Sequence, residues 1–541
     1  MMLASYRRAA MVIAAAAVAV VALGAPPARA YPVGPAVPLE ELAKTAELVC
    51  KATVAAERVV ADAWFEKLPG FEVREAELRV ISCVKGAPGG PGGPSGQRIR
   101  FRHYAPASAP GGMIGGYAPQ SYQLAAGRSY LVFAAKGAGG TYRQLAKSHT
   151  IKADQGVLLA ADARPHRGKT VTEVAWAELL AQLAGASTDD AVQAIAQLDE
   201  LSGGRGTGLH DLERRAALDA IRPLVASKQA ALAAAAIAVF GDDSPYFDER
   251  QAPFWLAGIG KGSIPGIGPR TPSATPAAAA AATELAAVAD GPAPAELRAQ
   301  AIRALGPLAP AARVAAWGRD PELAVRCAAV LVSAAQPERK LIAAGATATA
   351  PELRRAAALA IGFAQDAALV PALDALLKDA APKVRSAAAL SLLSLPLAQA
   401  DRVMRQNLYS DFMALFVNAL ARRDPQPYLP QLAEVIERRR APADWWGGTI
   451  PAGESWSILF AYVKGRPAAE LAAGKLDRSL DALERMEWFS SSEPRDLYAL
   501  YLRRGLTARA QRFRAAVKKT ASFDMDYYFD MADKSPATYV P

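Results

Sequence analysis

Two hydrophobic periods divide the chain. Between about Pro38 and His166, the segments Glu47 to Val54, Glu75 to Val84, Arg98 to His103 and Ser129 to Ala134 read as β-strands. The second alternates with period two, placing Ala76, Leu78, Val80 and Ser82 on one face and Glu77, Arg79 and Ile81 on the other. The third sets Ile99 and Phe101 against Arg98, Arg100 and Arg102, which predicts a half-buried strand with a basic outer face. Gly86 to Gly96 and Ala105 to Pro119 are rich in Gly and Pro and predict long loops. Several short strands joined this way predict a small barrel or sandwich. From about Thr172 the period changes to three or four. Trp176, Leu179, Leu180 and Leu183 form one helical stripe; Val192, Ile195 and Leu198 form the next.

The helical part repeats. Leu297-Arg298, Val325-Arg326, Leu353-Arg354 and Val384-Arg385 each open an Ala-rich helix, at spacings of 28, 28 and 31 residues. The second helices repeat too: Val370 to Leu377 echoes Leu429 to Ile436, 59 residues later. A helix pair of this size cannot bury its apolar face alone and must stack on its neighbours. The apolar-Arg-x-Ala-Ala signature resembles the short bacterial form of HEAT repeats, with clear units over 294–440 and a weaker section over 172–257. The resemblance implies an α-solenoid in which Asp320, Arg326, Arg354, Asp379 and Arg385 hydrogen-bond between adjacent repeats. A ligand-binding ladder is the competing reading of those residues. The stretch 258–293, with Pro265, Pro269, Pro272 and Pro276 followed by polyalanine, reads as a linker or a surface loop. Residues 441–541 read as an aromatic-rich cap and tail. There Trp445, Trp446 and Trp456 either seal the last repeat or form an aromatic surface for a sugar or peptide.

The strand-rich part carries its own resemblance. Cys50-Lys51-Ala52-Thr53-Val54, Leu78-Arg79-Val80 running into Val84-Lys85-Gly86, and Leu124 to Phe133 with its Gly127 turn before Tyr130-Leu131-Val132-Phe133 resemble the netrin-like module. That module is the OB-type barrel shared with tissue inhibitors of metalloproteinases. It implies a binding barrel over 38–166 without catalytic residues. The inhibitors chelate the protease zinc through an N-terminal cysteine; Cys50 lies too far into the chain for that mechanism. Cys50 and Cys83 are either a disulfide or two buried thiols. Cys327, inside an Ala/Val helix, reads as a core residue.

Composition narrows the chemistry. Residues 1–30 have the form of a cleavable signal peptide: Arg7 and Arg8, the apolar run Ala10 to Leu23, and Ala28-Arg29-Ala30 before Tyr31. This predicts an exported protein, periplasmic or secreted, with no membrane span after cleavage. Losing Arg7, Arg8 and Arg29 takes the net charge from +10 to +7, too mild and too dispersed for a nucleic-acid surface. Only 4 His and 3 Cys stand against a zinc or Cys/His-nucleophile enzyme. His103, His149 and His166 share the strand-rich part without ligand spacing. Gly168-Lys169-Thr170 lacks the first glycine of a phosphate loop, and Gly258-Ile259-Gly260 lacks a helix behind it. The acidic spacing after Phe523 lacks the glycine and glutamate of a calcium loop.

The expected fold class is therefore multidomain α+β, a small OB-type barrel followed by an all-α HEAT-like solenoid. The expected function is non-catalytic binding or scaffolding of protein partners, with no cofactor, metal or catalytic residue. An extracellular protease inhibitor acting through the barrel is the alternative. An envelope enzyme with a site in the solenoid groove is the third reading.

Overall fold

The computed structural model describes residues 38–68, 70–86, 96–107, 121–145, 156–185, 187–202, 212–241, 276–337, 339–395, 397–438, 449–485, 492–520 and 525–539. The 1–30 segment, His149, Trp445 and Trp446 lie outside them. The fold is mixed α+β, a six-stranded sheet followed by helices. The chain divides into two compact units: 1–242 with 276–288, and 243–275 with 289–541.

In the first unit, helix Leu39–Thr45 precedes β1 (Leu48–Val59), β2 (Phe71–Lys85), β3 (Arg98–Pro106), β4 (Ser129–Lys136), β5 (Tyr142–Arg143) and β6 (Val157–Leu159). β1 pairs antiparallel with both β2 and β4, and β2 with β3. β5 joins β3 in parallel and β4 antiparallel, so these five pairings run in a ring, and β6 extends β4. The period-two pattern translates into burial in β2 and β3, whereas β1 over Leu48–Val54 and β4 over Ser129–Ala134 are buried on both faces. Cys50, Ala52, Val54, Ala76, Leu78, Val80, Ile99, Phe101, Tyr130 and Val132 form one inward core. The register sets Cys50 opposite Cys83, and a disulfide joins them.

β1 and β2 run further than their hydrophobic pattern because charge takes over. Past Val54 the pairing continues through Glu57, Arg58, Arg74 and Glu75, whose side chains bond across the strands: Arg58 to Glu75 and Arg74 to Glu57, both at 2.7 Å. β5 and β6 are too short to display a period.

Three boundaries differ from the sequence reading. Helix Val171–Leu183 belongs to the same compact unit as the sheet, so the division between 38–166 and 172–257 does not separate two bodies. Its buried stripe is Val171, Val174, Ala175, Glu178, Leu179 and Gln182, turned from the expected one because Glu178 and Gln182 have partners on the sheet. Within 258–293, residues Pro276–Ala280 and Ala282–Asp290 are helices. Alanine has the highest helix propensity, and Pro276 occupies the first position, where its missing N–H costs nothing. Past residue 440, helix Thr449–Lys464 packs on Met413–Ala421 and Leu429–Arg438, so the helical stacking continues into the region read as cap and tail.

The second unit is a solenoid-like stack of helices. Ala295–Leu305 packs on Leu323–Val332, that on Pro351–Ala364, and that on Pro382–Ser394. Shorter helices, Ala311–Trp317, Lys340–Ala346 and Val370–Leu376, alternate with them. Alanine makes the contact close: Ala328, Ala329, Ala357, Ala358, Ala387 and Ala388 are all buried. At Gly345 a Cβ would come within 3.1 Å of both Val330 and Ala357, so only a hydrogen fits comfortably between those helices. Among the described residues, no helix is long and apolar enough to cross a membrane.

Candidate functional site

The polar residues singled out by the repeat spacing come together in one ladder. Each sits in a turn before, or on the first turn of, a long helix of the stack. Arg354 donates from Nε and Nη2 to the Asp379 carboxylate at 2.6 and 3.0 Å. Arg298 donates to Asp320 from Nη1 and Nη2 at 3.4 and 2.5 Å, its Nε going to the Ala289 carbonyl. Arg385 reaches Asp411 at 3.6 Å. Both aspartates also accept a backbone N–H two residues on, Asp320 from Glu322 at 3.0 Å and Asp379 from Ala381 at 2.8 Å.

The side-chain pairs join adjacent repeats, whereas the contacts within each turn are to backbone. Arg326 and Arg385 bond the backbone carbonyls of Asp320 and Asp379, at 2.8 and 2.9 Å. The side-chain partner of each aspartate comes from the preceding helix pair, 22 residues upstream for Asp320 and 25 for Asp379. Each rung thus ties a turn to itself and to its neighbour. The Arg354 hydrogen bond holds the Asp379 carboxyl below its ordinary range, outweighing burial. At Asp320 burial pushes upward, yet Arg298 and the Glu322 N–H leave the carboxyl lowered.

Further rungs had no visible period. Ser391 donates to the Ala358 carbonyl at 2.7 Å, and Ser455 to Asn418 Oδ1 at 2.5 Å, both buried between neighbouring helices. Arg422 pairs with Glu454. Trp456 is only 4% exposed, stacks on Phe460 and donates to the Leu483 carbonyl at 3.1 Å. Its ring is packing material between helices and does not present a ligand platform. In the tail, Asp526, Asp530 and Asp533 surround Arg514 at 3.0, 2.7 and 2.7 Å; these carboxylates are spent on an arginine.

The sheet has a polar centre of its own. Lys51, 1% exposed on β1, donates to Glu178 at 2.6 Å and to Asp162 at 2.9 Å. The other Glu178 oxygen accepts the Ala161 N–H at 2.8 Å, and Gln182 donates to the Leu159 carbonyl at 2.9 Å. Thr170 starts the helix carrying Glu178 through a reciprocal capping box with Glu173. The sequence signal for this junction was a lysine inside the apolar run Leu48 to Val54.

The histidines separate. His103 is fully buried, its Nδ1 facing the Tyr104 carbonyl and its Nε2 facing Glu57, both at 2.9 Å. His166 contacts Ser82 at 2.7 Å; burial first, and then the Lys51 charge, push its pKa down. Cys327 is buried within helix Leu323–Val332.

No protein-family model matches the chain. No curated protein matches it. Among solved structures, a Kap95p–RanGDP nuclear-import complex is similar over 68% of this chain at 12% identity and a TM-score of 0.34. The chain spans about half, 47%, of that structure's length. An engineered protein is similar over 67% of this chain and 98% of its own length, at 15% identity and a TM-score of 0.25. Likenesses this low carry no assignment.

Proposed function

We propose that this is an exported, non-catalytic scaffold that engages protein partners through a HEAT-type solenoid and an OB-type barrel. The observation that carries the reading is the ladder. Its arginines and aspartates bind one another and the turns between helices, which is how a stack of small units builds a long, repeated surface. The Ala/Arg repeat favours the HEAT assignment, and the ring of pairings through β1, β2, β3, β5 and β4 favours a five-stranded barrel of the OB type. The signal-like start and the Cys50–Cys83 bond favour an oxidising compartment.

The test is capture from the cell envelope with the chain beginning at Tyr31 as bait. The expected outcome is a retained protein whose binding is reproduced with purified components. If nothing is retained above background, the scaffold reading fails.

A further inference from the structure

The ladder lacks one carboxylate. The turn Ala348-Thr349-Ala350-Pro351 corresponds to Asp379-Ala380-Ala381-Pro382, with alanine in place of aspartate six residues before the arginine. Asp379 gathers the Nε and Nη2 of Arg354 and the N–H of Ala381. Asp320 gathers Arg298 and the N–H of Glu322 in the same way. At residue 348 a methyl group can accept nothing.

The arginine one helix upstream of that turn is Arg326. Its Nη1 is anchored on the Asp320 and Pro321 carbonyls, both at 2.8 Å. Arg354 makes the same anchor on Ala348 and Thr349 at 2.9 and 2.6 Å. In Arg354 this anchor leaves Nε and Nη2 to bond the aspartate of the next turn. The next turn of the stack after Arg326 is the Ala348 turn, which offers its Nε and Nη2 no carboxylate, and Arg326 makes no ion pair within 4 Å among the described residues. A second guanidinium borders the position, because Arg354 holds the Ala348 carbonyl. Positive charge and a planar fork suit a carboxylate.

We propose that the Ala348 turn is a carboxylate-binding notch, in which Arg326 takes an Asp or Glu side chain from an acidic segment of a protein partner. The ligand carboxylate supplies what Asp320 and Asp379 supply in their own turns. The inference rests on the partner-binding reading and adds the chemistry of the partner.

The test uses the full chain and a fluorescein-labelled hexaglutamate peptide, followed by anisotropy at low salt, with hexaglutamine as the uncharged control. Wild type is expected to bind hexaglutamate and not hexaglutamine. Ala348→Asp, which places a carboxylate within the chain, should weaken binding about tenfold or more, and Arg326→Gln similarly. Arg423→Gln, exposed and outside the ladder, should stay within about twofold of wild type. A circular-dichroism melt of Ala348→Asp confirms folding. Equal binding by wild type and Ala348→Asp, or no binding by wild type, overturns the proposal. A partner captured from the envelope without hexaglutamate binding would remove the notch and leave the scaffold. Hexaglutamate binding with nothing captured would do the reverse.

Discussion

The sheet and the helical stack solve the same problem, holding a chain in place, over different distances. Lys51 and Glu178 are 127 residues apart in sequence, and the Cys50–Cys83 bond spans 33. In the stack, Arg354 reaches 25 residues to Asp379 and Arg298 only 22 to Asp320. Long-range closure concentrates stability in a few buried groups, each costly to lose. A repeated array spreads it over many small, neighbour-only terms. The difference teaches where a single substitution can unfold the molecule and where it can only loosen it.

The strongest test of that contrast is Glu178→Ala. It leaves Lys51 buried with the half-exposed Asp162 as its remaining acid, and should cost about 3–4 kcal/mol in denaturant unfolding. The paired change Lys51→Met with Glu178→Leu should recover most of that loss, because no charge is then left buried. If the single and paired variants are equally unstable, the junction is held by packing rather than by the ion pair. Replacing Cys50 and Cys83 together by alanine comes next, with an expected loss on the order of 3 kcal/mol at the same readout.

In the stack, Asp379→Asn should cost only about 1 kcal/mol, since it removes one rung and leaves its neighbours. Its pH dependence gives the sign. The carboxyl is depressed in the folded chain, so its contribution is present above the ordinary carboxylate pKa and is lost as pH falls through the folded value. Wild type and Asp379→Asn should therefore differ at about pH 7 and draw together as the pH falls below the ordinary carboxylate range in paired unfolding curves. The smallest effect is a gain: Ala348→Asp should raise stability by about 0.5–1 kcal/mol by restoring a turn acceptor and an ion pair. A loss there would mean that the turn does not share the geometry of its neighbours.

The helical stack was legible because its information is local. A recurring Arg followed by alanines marks the first turn of each long helix, and Leu297, Val325 and Val384 are buried as that phase requires. The inward faces of β2 and β3 were legible for the same reason, at period two. What escaped is long-range or aperiodic. The buried stripe of Val171–Leu183 contains Glu178 and Gln182, which no hydrophobic pattern selects, since their burial depends on Lys51 and the Leu159 carbonyl. The charged continuation of β1 and β2 is stabilised only when Glu57 and Arg58 meet Arg74 and Glu75 across the pair. In the ladder the residue types and their bonding between adjacent repeats were legible, but which arginine meets which aspartate was not, because the pairs lie 22 and 25 residues apart with no motif to mark them.

The Lys51 contact also imposes an order on synthesis. As the chain emerges, β1 and β2 come first, and Cys50 can meet Cys83 once both reach an oxidising compartment. The half-exposed Asp162 follows the last strand, but the buried partner of Lys51, Glu178, arrives only with helix Val171–Leu183, made after all six strands. Until then the ammonium must stay hydrated, which keeps that side of the sheet open to water. The nascent sheet is therefore expected to remain sensitive to proteases until helix Val171–Leu183 docks, and a fragment ending before that helix to be poorly protected.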